Sequence, residues 1–484
     1  MPLDGEGCVV GAGYANLRSM RSLSWRLILF LSLGVSLAAA EDFGSAPPFN
    51  SGDVVCFVGD SITHGGTYHS IVALYYATRF PDRPLTTFNC GIGGDGASVI
   101  MSDEKYRLNV DILGRRPTAA TIMLGMNDVG HGDYSGVTLT PEVEARRQMS
   151  LTKYEENMRQ LIGRLQAAGA RLTLITPSIY DESTRLATAS ATISVGVNAA
   201  LGVFAEKVRG WAKEYRTGLV DFDRVMNAIN AREQAKDPSF TVVGRDRVHP
   251  GPVGHFVMGY AFLRAQGMPK VVATLGIDAR QGRASAAVNC TIANVQAGSA
   301  GVSFTATEKA LPLVVPAEAM PALALVPFMA ELNEERLVVS GLAAGTYELR
   351  IDDEVVGEYA AATLAAGVDL ATNDRTPQYR QSAAATRING QRTSVGQQLR
   401  GLALQLYSLS RLKIDVSDAA TVERVLTAWL AGSAKDGKSP DARLKTALET
   451  WAKRAELERD YVALAARLRE ACQPQPHRYT LTRQ

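Results

Sequence analysis

The chain has 484 residues, 46% of them hydrophobic and 21% charged, with a formal net charge of +2. That length exceeds what one hydrophobic core organises and calls for two or three domains. No run of five or six Lys or Arg occurs, so no basic patch invites nucleic acid, and none is expected as a partner.

In chain order, the N-terminus reads as an address. Arg18, Arg21 and Arg26 lead into an apolar stretch, Leu27 to Leu37, too short for a comfortable membrane span. Ala38, Ala39 and Ala40 then offer a small-residue cleavage site before Glu41 and Asp42. Residues 1–40 are expected to be a signal peptide, with Met20 as an alternative start. Cleavage after Ala40 is favoured over a retained anchor, giving a periplasmic or secreted protein with no membrane span. Once Cys8 leaves with the leader, Cys56, Cys90, Cys290 and Cys472 remain. They are too few and dispersed for a disulfide scaffold, although export permits one bridge. With no Cys-x-x-Cys or His-x-x-x-His spacing, no metal or other cofactor is expected.

A Gly/Ser/Pro-rich entry over 42–51 gives way to Val54–Val58, a buried strand by its continuous apolar run. Similar runs at 119–124, 172–175 and 219–222 lack alternation, the texture of a parallel sheet covered on both faces. Helical stripes lie between them: Tyr154, Met158, Leu161, Ile162 and Leu165, then Leu201, Phe204, Val208, Trp211 and Tyr215. Pro252, at a favourable early position, opens a last helix reaching Leu263. An α/β domain over 50–270 follows. From Val271 the texture changes. Pro312, Pro316, Pro321 and Pro327, and the alternating run Thr346–Ile351 before Asp352-Asp353, predict a small β unit over 271–365. Residues 366–484 carry three helical stripes, on Leu399–Leu409, Val422–Trp429 and Leu444–Leu468, and end in a Pro-rich tail holding His477. Those stripes need cover, from the α/β domain or from a second copy of the chain in a homo-oligomer.

Four segments carry chemistry. Gly59-Asp60-Ser61-Ile62-Thr63 follows the first strand, at the sheet edge where open α/β proteins bind ligands. Ser61 there either caps a helix or presents a hydroxyl beside a backbone N–H. Asn89–Gly96 follows a second strand near 86–88. Its glycines let backbone approach a substrate, and the Gly94 N–H has no side chain to keep it from a developing oxyanion. Gly91, Gly93 and Gly96 also match a loose dinucleotide-loop pattern, disfavoured because that motif follows a first strand. In Gly125-Met126-Asn127-Asp128, Asn127 is either a turn residue or an amide donor to an oxyanion. Asp246-Arg247-Val248-His249-Pro250 sets a carboxylate three residues before an imidazole. Asp246 can then fix the His249 tautomer and leave its other nitrogen for Ser61. His64 and His69 lack an Asp three residues earlier; with His131 and His255 they read as surface or pocket-wall residues.

Taken together and in this order, Gly-Asp-Ser, the Gly-bearing loop, Gly-x-Asn-Asp and Asp-x-x-His-Pro resemble the four blocks of SGNH/GDSL hydrolases, over about residues 52–266. One departure is Ile62, where the first block ends in Leu; the exchange leaves the reacting groups untouched. The resemblance implies a flavodoxin-like three-layer α/β/α sandwich with a parallel sheet, ahead of the small β unit and the C-terminal helical region. It implies Ser61 as nucleophile, a triad completed by Asp246 and His249, and an oxyanion hole from the Ser61 and Gly94 backbones and the Asn127 side chain. The expected protein is an exported serine esterase acting through an acyl-enzyme on a small-molecule or carbohydrate ester, short-chain acyl or O-acetyl. Competing readings are a lipase or thioesterase on the same fold, a metal-dependent phosphoesterase around Asp60, Asn127, Asp128, His131 and His249, and a non-catalytic glycan-binding protein. Ligand spacing argues against the metal site. The full set of reacting groups argues against a lost activity.

Overall fold

The first apolar run becomes Val54–Gly59 (β1), buried at every position after the first, as a strand covered on both faces must be. The computed structural model describes residues 42–433 and 441–484; the expected leader lies outside them. Between β1 and the next strand come Ser61–His64 (α1) and Thr67–Arg79 (α2). Thr86–Gly91 (β2), Ala97–Ser102 (α3), Ala119–Met123 (β3), Pro141–Ala167 (α4) and Arg171–Ile175 (β4) follow. Val197–Glu214 (α5), Gly218–Val220 (β5), Phe222–Gln234 (α6) and Pro252–Ala265 (α7) complete the α/β part.

The five strands form one parallel sheet in the order β2-β1-β3-β4-β5 with helices flanking it, a flavodoxin-like α/β/α sandwich. Because β1 lies between β2 and β3, the chain reverses its progress across the sheet there. The carboxyl ends of β1 and β3 are therefore the switch point at which open α/β sheets bind ligands. Two of the four segments expected to hold reacting groups, after Gly59 and after Met123, start at that switch point.

The β unit uses Val271–Asp278 (β6), Arg283–Val288 (β7), Cys290–Gly298 (β8), Gly301–Glu308 (β9), Phe328–Leu332 (α8), Glu334–Ser340 (β10), Thr346–Ile351 (β11), Glu354–Ala360 (β12), Ala361–Ala366 (α9) and Val368–Asp369 (β13). Strands β9 and β10 alternate buried and part-exposed residues, the period of a one-sided sheet. Then come Pro377–Arg411 (α10), Ala419–Ser433 (α11), Ala442–Ala471 (α12) and Pro476–Arg483 (β14). Two sheets result, β13-β10-β6-β7 and β12-β11-β14-β9-β8. They share a core that includes Leu275, Leu337, Phe304, Tyr347 and Tyr479.

The last strand corrects the sequence reading of the chain end. His477 lies not in a Pro-rich tail but in β14, which sits between β11 and β9. The β unit therefore draws a strand from beyond 365, and the region from 366 is not wholly helical. Pro474 and Pro476 hide a short alternating pattern in which Tyr479 and Leu481 are buried. The helical stripes cover one another through Leu402, Leu409, Leu426 and Trp451. Helix α10 also lies against the α/β part, with Ser70 and Thr393 hydroxyls 2.6 Å apart. All four described cysteines are free and buried. Among the described residues no helix is long and apolar enough to cross a membrane.

Candidate active site

Asp60 ends the turn after β1, and its Oδ1 accepts the Ile62 N–H at 2.9 Å, capping α1. Ser61 becomes the first residue of that helix. Only glycine fits at the end of β1: a Cβ on Gly59 would lie 2.2 Å from Thr63 Oγ1 and 2.9 Å from the Met123 carbonyl oxygen. Asp60 is buried, which pushes its carboxyl up to about 7 against the Ile62 hydrogen bond, and nearby Asp128 and Asp95 add to the rise.

The loop before α7 supplies the other two groups. Asp246 Oδ1 accepts the N–H groups of Val248 at 3.1 Å and His249 at 2.9 Å, an Asx-type turn that folds the carboxylate onto the imidazole. Asp246 Oδ2 then lies 2.5 Å from His249 Nδ1, and His249 Nε2 lies 2.6 Å from Ser61 Oγ. Partial burial alone would raise the Asp246 carboxyl. Hydrogen bonds from the His249 backbone and ring and from Val248 outweigh it and hold the group below the usual range. An ionised Asp246 keeps the proton on Nδ1, which leaves Nε2 to accept the Ser61 O–H. The His249 and Asp246 side chains are 47% and 53% exposed, so the site is open to solvent.

A residue the sequence reading passed over holds this loop. Arg247 adopts φ 68, a left-handed conformation that non-glycine residues rarely take. Its buried guanidinium donates to the carbonyls of Asp181 at 2.8 Å and Ser190 at 3.0 Å, and its own carbonyl accepts from Asp181 N–H at 2.9 Å. Nothing local in the sequence marks it, because its partners lie more than fifty residues away.

The Gly-bearing loop stands beside α1. Gly59 pairs with Gly91 across β1 and β2, and Gly93 N–H donates to His64 Nδ1 at 3.2 Å. Gly94 has φ 84, and a Cβ there would meet nothing within 4 Å, so the loop stands open on that side. Asn127 Nδ2 donates to the Asp95 carbonyl at 2.7 Å. That bond ties the third block to the second and leaves the second amide hydrogen for another acceptor.

Two of the remaining histidines, His69 and His255, depart from the expected surface or pocket-wall placement. His69 stacks on Phe57 with ring centroids 4.9 Å apart, and His255 stacks on Tyr68 at 6.3 Å. Both are core residues rather than surface or pocket wall, and burial lowers them to about 3 and about 4. Aromatic neighbours on other elements decide this, Phe57 on β1 for His69 and Tyr68 on α2 for His255, and local spacing does not report them. His64, half-buried, is lowered to about 4 by burial and by Arg400 and Arg107. The residues of the phosphoesterase reading are engaged separately: Asp128 accepts Ala97 N–H at 2.8 Å, and the His131 ring bonds the Met126 carbonyl at 3.0 Å. Among the described residues, no group of three or more His, Cys, Asp or Glu is placed to hold a metal ion.

Residues 57–256 match the model of the GDSL-like lipase/acylhydrolase family. The solved structure of a gut microbial diltiazem-metabolizing enzyme is similar at 32% identity with a TM-score of 0.81, covering 91% of this chain and all of that one (100%). The chain belongs to the GDSL-like lipase/acylhydrolase family. As a member it is a serine carboxylic ester hydrolase. An acetylxylan esterase of Geobacillus stearothermophilus is 26% identical over 232 residues, 45% of this chain and 95% of the relative. A crystal structure of an acetylxylan esterase from the same organism is 24% identical with a TM-score of 0.36, covering 45% of this chain and 96% of that one.

Proposed function

We propose that Ser61, His249 and Asp246 form the triad of an exported esterase that removes short acyl groups, O-acetyl foremost, from small-molecule or carbohydrate esters. The unbroken hydrogen-bond path from Ser61 Oγ through both His249 nitrogens to Asp246 carries the reading. His249 Nε2 takes the hydroxyl proton as Oγ attacks the ester carbonyl, and Asp246 stabilises the imidazolium. The carbonyl electron pair moves onto oxygen, where the Ser61 and Gly94 N–H groups and the Asn127 amide receive it. Collapse expels the alcohol with the proton from Nε2 and leaves acyl-Ser61. Water, deprotonated by the same nitrogen, then releases the acid and restores the serine.

Two observations favour a short acyl group on a bulky carrier. The half-exposed His249 and Asp246 suit an ester presented on a large molecule, and beyond 186–197 the sequence offers no long apolar lid to cover a lipid chain. Similarity to an acetylxylan esterase and to a diltiazem-metabolizing enzyme supports esters of glycans and of small molecules as the classes to try first. Export rests on the leader-like order of residues 18–40.

A fluorophosphonate should label wild-type protein at Ser61 and leave Ser61→Ala unlabelled and without esterase activity. Turnover of Ser61→Ala within about tenfold of the parent removes Ser61 as nucleophile. For substrate, acetyl esters and acetylated xylan should be hydrolysed faster than esters of eight carbons or more. The reverse order assigns lipase chemistry instead.

A further inference from the structure

The edge of the parallel sheet is where the C-terminal region meets the segments that carry the reacting groups, β2 and α1. Strand β2 is an edge strand, so alternate carbonyls along its outer side have no strand to accept from. All three that matter are met by helix side chains. The Thr87 carbonyl accepts from Arg392 Nη2 at 3.0 Å and from the Tyr461 hydroxyl at 2.7 Å. Arg400 donates Nη1 to the Asn89 carbonyl at 3.1 Å and Nε to the Gly91 carbonyl at 2.6 Å. Eight residues of helix rise about 12 Å and four of strand about 13 Å, so Arg392 and Arg400 on α10 keep step with Thr87 and Gly91. Helix α10 takes the place of a sixth strand.

The clamp continues into the loop that presents Gly94. Buried Arg400 is neutralised by Asp111, through Nη1 at 2.8 Å and through Nη2. The same carboxylate receives Arg107 Nη1 at 2.6 Å, and Arg107 Nε holds Asp95 at 2.7 Å. One end of the loop is therefore fixed at Gly91 by Arg400, and the other at Asp95 by Arg107. Asp111 couples the two. The helix also grips the nucleophile's side: Gln397 Nε2 donates to the His64 carbonyl, the last residue of α1, at 2.9 Å.

We propose that Arg400, supported by Gln397, is a positioning residue for the reaction, holding the Gly94 loop in register with Ser61 across the interface between α10 and β2. The inference rests on the proposed roles of Ser61 and Gly94. A Cβ on Gly94 would meet nothing within 4 Å, so the loop is held there through its flanking residues: by these anchors, by the contacts of Gly93 and Asp95 with His64 and Asn127, and by the Asp95 N–H on the Ile92 carbonyl at 3.1 Å. A misplacement of about 1 Å costs about a hundredfold in turnover. An oxyanion donor acts on the transition state, so the loss belongs in kcat and not in KM.

The test uses the full chain and an acetyl ester. Arg400→Ala should lower kcat about a hundredfold with KM within about threefold, measured well below its unfolding temperature. Guanidinium at non-denaturing concentration should restore part of that kcat, and methylammonium should not, because only the planar fork reaches two carbonyls and a carboxylate together. Gln397→Met should lower kcat about tenfold with the unfolding temperature unchanged; it keeps the inference testable if Arg400→Ala does not fold. A folded Arg400→Ala with parental kcat, a loss confined to KM, or an unaltered Gln397→Met overturns the positioning role. Failure of the fluorophosphonate to label wild-type Ser61 overturns the proposed function itself, whatever the Arg400 variant does.

Discussion

Alanine at position 91 should damage turnover through backbone contact alone. Its Cβ would stand 2.3 Å from His64 N and 2.7 Å from the Thr63 carbonyl carbon. Ordinary non-bonded separations are about 3.5 Å, so one backbone must retreat by about 1 Å. No rotamer change relieves a clash with main-chain atoms. The segment that gives is α1 or the end of β2, and each carries a reacting group: Ser61 lies two residues before Thr63, and Gly94 three residues after Gly91. A shift of that size breaks the 2.6 Å contact between Ser61 and His249 and should lower kcat about a hundredfold. Two neighbours calibrate the experiment. Gly93→Ala meets nothing within 4 Å and should keep near-parental kcat. Gly94→Ala is also unobstructed but has φ 84, so it should lose activity through strain of about 1–2 kcal/mol. Steady-state kinetics on an acetyl ester, with denaturant unfolding of each variant, separates turnover from stability. If Gly91→Ala stays within about tenfold of Gly93→Ala, the close approach of α1 and β2 does not set the reacting geometry.

Asn127→Ala should reduce kcat by about 10²–10³ with little change in KM, since one donor to the oxyanion is lost; unchanged kinetics would leave Asn127 only its bond to the Asp95 carbonyl. Asp60→Asn keeps an oxygen for Ile62 N–H and removes a carboxyl whose value rises from 3.8 to about 7 in the fold. The native state holds that proton after the unfolded chain has released it, so wild-type stability from this group is full below about pH 4 and falls as pH rises to about 7, by roughly 4 kcal/mol. The stability of Asp60→Asn relative to wild type should climb across that window in urea titrations, and parallel curves would refute the assignment. A fragment of residues 41–270 leaves the Thr87, Asn89 and Gly91 carbonyls and Asp111 without their helical partners, and size-exclusion chromatography should show it aggregated; a soluble fragment with full acetyl-esterase activity contradicts the integral role of α10.

The four blocks and the strands that precede the first three were legible because each follows from a local requirement. A strand covered on both faces must be largely apolar, so β1 stands out as an uninterrupted run and β3 and β4 as runs broken by a single buried Thr after their first residue. An Asx turn brings Asp246 to His249 within four residues, so that pair is written in its own spacing. Ser61 and His249 lie 188 residues apart, and only the tertiary fold that sets the loop before α7 against the start of α1 makes them neighbours. Arg247 and Arg400 had no comparable signal. A buried guanidinium is identified by the carbonyls it meets, and Gly91 is 309 residues from Arg400. The same holds for β14: alternation marks Tyr479 and Leu481 as strand-like, but the partners that bury them, β9 and β11, are chosen by three-dimensional closure of the β unit. Local periodicity and motif spacing specify what each segment can become, because they depend on residues within a few positions. Which carbonyl an arginine caps and which strand fills a gap depend on long-range packing, and those contacts are what bind the C-terminal helices to the edge of the catalytic sheet.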